Sequence, residues 1–122
     1  MVMTNISVSG AASLLTGSGT IPQFCAIGTG SVAENSAIGS LVTEALSDRK
    51  SYTSRDASVS SEVTWAYDWS SIEMSGTTLS EFGVGTGSGI NVQDLWNREG
   101  FAGTEFDGSN ELQISVTYKY FL

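Results

Sequence analysis

A chain of 122 residues without a single histidine lacks the commonest general base, the usual activator of serine and cysteine nucleophiles, and the commonest transition-metal ligand. Ser-His-Asp and Cys-His catalysis cannot be built from it. A serine–lysine nucleophile would need Lys50 or Lys119 buried and deprotonated, and both stand in polar, alternating or charged surroundings. Thirteen carboxylates allow some pair to meet as the acid and nucleophile of a glycosidase. The candidates are Glu62 and Asp68, on the outward face of one strand, and Glu99 and Glu105, which flank Phe101. Carboxylates on an open strand face are usually solvated, and a chain this short rarely forms a sugar cleft.

Three further patterns resemble binding motifs. Gly28-Thr29-Gly30-Ser31-Val32-Ala33 follows an apolar strand and fits the dinucleotide fingerprint G-x-G-x-x-A. That site needs a helix whose N-terminus meets the pyrophosphate, but Glu34-Asn35-Ser36 and Gly39 interrupt any helix, so a strand-ending turn is the simpler reading. Asp107-Gly108-Ser109-Asn110 reads as a hairpin turn and is too short for an EF-hand calcium loop. Trp65, Tyr67, Trp69 and Trp96 would suit a sugar-stacking platform, yet a period of two sends the first three inward. Trp96 is expected to be partly exposed. Cys25 is the only cysteine and reads as a small core hydrophobe. These residues predict no enzyme, no cofactor and no metal.

The elements that must hold these residues are mostly strands. Leu112, Ile114, Val116, Tyr118 and Tyr120 alternate with Gln113, Ser115, Thr117 and Lys119 in one long strand with one buried face. A second covers residues 58–69, with Val59, Val63, Trp65, Tyr67 and Trp69 inward and Glu62, Thr64 and Asp68 outward. Shorter strands are predicted at 5–8, 24–27, 77–82 and 95–101, each bounded by Gly or Ser. Only 40–46 keeps a helical spacing, through Leu41, Val42, Ala45 and Leu46. Residues 47–57 read as an exposed loop or edge, and the alternating glycines of 83–89 as a projecting loop. The expectation is one all-β domain over residues 1–122, an antiparallel β-sandwich or barrel-like fold with at most one short helix.

Charged residues make up only 15% of the chain, against roughly 25% in typical soluble domains, and the net charge is −8. An acidic surface repels phosphate backbones and anionic lipid, and the five cations form no run longer than two, so nucleic acid and membrane are poor partners. The first residues show no positive leader followed by an apolar stretch, and no eighteen apolar residues run together, so a soluble protein made without secretion is expected.

One resemblance spans residues 24–120. Phe24-Cys25-Ala26-Ile27-Gly28-Thr29-Gly30-Ser31 is followed by Leu41-Val42-Thr43-Glu44, Arg49, Leu79-Ser80-Glu81-Phe82-Gly83-Val84 and Leu95-Trp96-Asn97-Arg98-Glu99-Gly100-Phe101, then by a long terminal strand. In order and rough spacing this succession resembles small structural proteins of tailed bacteriophages. The resemblance implies a virion part: a capsid decoration (cement) protein or a tail accessory, made in the host bacterial cytoplasm and carried on the virion surface. The implied partners are the major capsid or tail proteins and further copies of the chain, with a trimer favoured. Residues 1–20 are either an assembly arm carrying Val8, Leu14 and Leu15, or the first hairpin of the sandwich. With Trp96 and Arg98, those three are the candidate interface residues. The alternative is a receptor- or glycan-binding module of a tail fibre or baseplate, with Trp96 and residues 83–89 at its tip.

Overall fold

A computed structural model describes residues 2–18, 20–31, 37–45, 49–58 and 62–119. The two stretches with the clearest two-residue period form its most regular pair. Strand β5 (Glu62–Trp69) runs antiparallel to β8 (Leu112–Lys119) through an unbroken register, from Glu62 opposite Lys119 to Trp69 opposite Leu112. Trp65, Tyr67 and Trp69 are buried with Ile114, Val116 and Tyr118, and the alternate residues face outward, as the pattern predicts. Each such side chain contributes about 1.5–3 kcal/mol on leaving water. Val59 and Tyr120, expected in these strands, lie outside the described residues. A short strand, β4 (Ser54–Asp56), covers the far edge of β5 and completes a three-stranded sheet.

The second sheet has five antiparallel strands. Its centre is β6 (Thr77–Gly85), flanked by β2 (Phe24–Gly28) and β7 (Leu95–Phe106); two-residue strands close the edges, β3 (Lys50–Ser51) beside β2 and β1 (Val2–Met3) beside β7. Cys25, Ile27, Leu79, Val84, Trp96 and Phe106 from this sheet share one core cluster with the β5 and β8 aromatics. Trp65 meets Tyr118 edge-on at 5.3 Å between ring centroids, and Trp96 lies 6.4 Å from the same ring. The fold is therefore all-β, two antiparallel sheets over one core, and the sheets do not close into a barrel.

Several expectations need correcting. Asp107-Gly108 is a turn, with Gly108 at φ +94°, but not a hairpin: β7 pairs with β6 and β8 with β5, so the turn carries the chain from one sheet to the other. Gly83, Val84 and Gly85 do not project; they are buried in β6, and only residues 86–89 bend away. Residues 40–45 are not helical, because Glu44 bridges to Gly28 and Ala45 N donates to Ile27 O at 2.8 Å; Leu46 lies outside the described residues. Within 47–57, β3 and β4 are edge strands as expected, but Arg49 is buried.

The helix sits where a strand was predicted. Helix α1 (Asn5–Leu15) begins after Thr4, whose hydroxyl donates to Leu95 O and whose carbonyl accepts from Ser7 N and Ser7 Oγ. It ends in a Schellman motif: Gly17 adopts φ +83°, Ser18 N donates to Ser13 O at 3.0 Å, and Gly17 N donates to Leu14 O at 3.1 Å. Ile6, Ala11 and Leu14 pack toward the core. One further helical turn, α2 (Ser71–Met74), is held by a capping box between Ser70 and Glu73.

Candidate functional site

Gly10 is the reason α1 can lie close on the sheets, since a Cβ there would sit 2.4 Å from the Trp96 ring. This places the helix at one open end of the sandwich, beside β1 and β7 of one sheet and β8 of the other. Between them runs an open groove of about 660 Å³, with Val8, Ala11 and Leu15 on its helical wall, Trp96 and Tyr118 in its floor, and Thr117 and Lys119 on its far rim. Among the described residues, Lys119 is the single charged group in the lining. The groove offers apolar contact and little polar direction, which suits a protein surface better than a reacting substrate.

The residues with catalytic types are used elsewhere as structure. Glu62 and Asp68 stand on the outer face of β5 and are tied to β8, Glu62 accepting from Lys119 Nζ at 3.3 Å and Asp68 from Gln113 Nε2 at 2.9 Å. Arg49 is buried and holds two carboxylates: its Nη2 lies 2.9 Å from Glu44 Oε1, its Nη1 donates to Asp94, and further bonds reach Val92 O and Gly87 O. Asp94 in turn accepts from Gly87 N at 2.7 Å. This network fastens residues 86–94 to the body of the fold. Lys50 pairs with Glu73 at 2.6 Å, and that ammonium, before any other cause, holds the Glu73 carboxyl below its ordinary value. Burial pushes the Cys25 thiol far up, so it stays protonated and inert.

At the dinucleotide-like glycines a carboxylate stands where a phosphate would have to go. Glu81, fully buried, accepts from Gly30 N at 3.2 Å, Val42 N at 3.0 Å and Thr43 N at 2.8 Å. A Cβ at Gly28 would lie 2.3 Å from Glu81 Oε1, so the glycine makes room for this internal anion. Val32 and Ala33 lie outside the described residues. Among the described residues no group of three or more His, Cys, Asp or Glu is placed to hold a metal, and no helix is long and apolar enough to cross a membrane.

Of the five interface candidates, the groove gathers three. Val8 is 71% exposed and Leu15 89% exposed on its wall, and Trp96, against expectation only 4% exposed, forms its floor. Leu14 turns inward against the core. Arg98 is 1% exposed, with Nη1 donating to Ser40 O at 3.1 Å, and binds the fold together from inside. Sequence reasoning missed Met3, Ser7, Ala11, Ala12, Thr117, Tyr118 and Lys119 as lining. A signal was present, because no charged residue occurs before Glu34 in a chain of net charge −8. Comparison of the chain with protein-family models, with curated proteins and with solved structures finds no match.

Proposed function

We propose that this chain is a non-enzymatic structural subunit of a tailed-phage virion, an adhesive module that binds the capsid or tail lattice and further copies of itself. The observation that carries the reading is the pairing of one largely apolar groove, walled by the exposed Val8 and Leu15 and free of carboxylates in its described lining, with an otherwise acidic chain. Net charge keeps free subunits dispersed, while an apolar face without carboxylates lets them dock with little electrostatic cost. Many copies on one lattice then hold by avidity, without any single strong contact. The succession of short motifs across residues 24–120 supports placing that lattice in a phage particle. The glycan-binding alternative gains no support from Trp96, whose ring is covered by α1.

The test is direct. Antibody raised to the chain should decorate purified particles of the phage that encodes it, and mass spectrometry of those particles should find it in many copies. Particles that carry none of it sink the reading. A glycan array separates the alternative, since an adhesive subunit shows no saccharide binding.

A further inference from the structure

The strand β8 has a partner on one side only: β5 holds one edge, and among the described residues no strand pairs with the other. The register is unbroken, so the open edge is straight, and from Leu112 to Lys119 it carries neither a proline nor a bulge and only one charge, at its end. Edges of this kind are covered in stable proteins, because unpaired N–H and C=O groups in a flat row recruit another strand. The groove opens beside this edge, since Thr117, Tyr118 and Lys119 line it together with Val8 and Leu15.

We infer that the open edge of β8 binds β8 of a second copy, antiparallel about a two-fold axis through Ser115, so that the two three-stranded sheets join into one of six strands. Charge selects this register. With Ser115 facing its own copy, Gln113 faces the partner's Thr117 and the exposed Glu111 faces the partner's Lys119, which makes two opposite-charge pairs by symmetry. A shift of two residues either way loses both pairs. The same register sets the partner's half-buried Leu112 opposite Tyr118 on the inner face, so that its apolar side chain extends the apolar surface of the groove that Tyr118 lines. A second copy fits better than an unlike partner because one face supplies both the half-buried Leu112 and the groove, and both signs of charge. The inference deepens the proposed function, resting on its view of the chain as an assembly module, and replaces the favoured trimer with a two-fold pair.

Sedimentation equilibrium of the full chain at micromolar concentration tests it. A dimer is expected. Lys119→Glu or Glu111→Lys alone should weaken it by about tenfold, because both symmetric pairs turn repulsive. The double variant restores the pairs and should bring the constant back to within about threefold of the original. Leu15→Glu, at a position exposed in the single chain, should also weaken the dimer while circular dichroism shows an intact fold. A chain that stays monomeric, a trimer, or a dimer indifferent to these changes overturns the inference. Each of those outcomes leaves lattice binding to the particle experiment, and particles lacking the chain would leave a measured dimer standing.

Discussion

At the residue scale, the chemistry that the amino-acid types suggested has been turned inward. Arg49 spends its guanidinium on Glu44, Asp94 and two carbonyls, and removing it would leave two carboxylates in or near the interior with no counter-charge. Arg49→Met is therefore expected to cost about 3–5 kcal/mol, read from the shift in urea midpoint, and to loosen residues 86–94 first in hydrogen exchange. A variant as stable as the original would show that the pair is dispensable. Little of this was legible beforehand. Arg49 lies in a run of polar and charged residues, and Glu81 has the outward look of any carboxylate on a strand, yet both are buried. Their burial follows from long-range neighbours, Asp94 for one and the amides of Gly30, Val42 and Thr43 for the other, and no local pattern announces such partners.

At the scale of elements, periodicity of two was a reliable guide and small residues were a poor one. The strands at Phe24–Gly28, Glu62–Trp69, Thr77–Gly85, Leu95–Phe106 and Leu112–Lys119 overlap those predicted; in all but Leu95–Phe106, whose buried start holds Asn97 and Arg98, the buried residues alternate or run together. Helix α1 was misread. Asn5-Ile6-Ser7-Val8 alternates polar with β-branched residues, and Gly10 argues against a helix, so local propensity points to a strand while packing on Trp96 decides otherwise. The readable clue was Gly17, in the position that closes the helix. Gly10→Ala provides the check. Propensity alone would favour alanine by about 1 kcal/mol, but its methyl would press on the rigid indole at 2.4 Å. The expected net result is a loss of about 1–2 kcal/mol, measured by thermal unfolding, with a change in tryptophan fluorescence. A stabilised variant would mean that α1 does not rest on Trp96.

At the scale of the molecule, the balance of charge governs the response to acid. Lys50 lowers the Glu73 carboxyl, and hydrogen bonds from Ser58 and Ser109 lower those of Asp56 and Asp107. A carboxyl whose folded value lies below its unfolded one adds stability that is complete above the unfolded value and disappears as pH falls through the folded one. Unfolding by urea should therefore come at lower concentration near about pH 3 than near about pH 6, and Glu73→Gln should show a smaller drop. An equal drop in both proteins would remove Glu73 from the account. The order of strands has a consequence of its own for synthesis. Strand β5 finds its longer partner, β8, only after β6, β7 and the inter-sheet turn at Gly108 have been made. As the chain leaves the ribosome, Trp65, Tyr67 and Trp69 thus lack Ile114, Val116 and Tyr118, their neighbours in the same sheet, until β8 emerges. Chaperone contact with the nascent protein belongs in that interval, and a premature stop anywhere before Leu112 would release a sticky fragment in place of a shortened subunit.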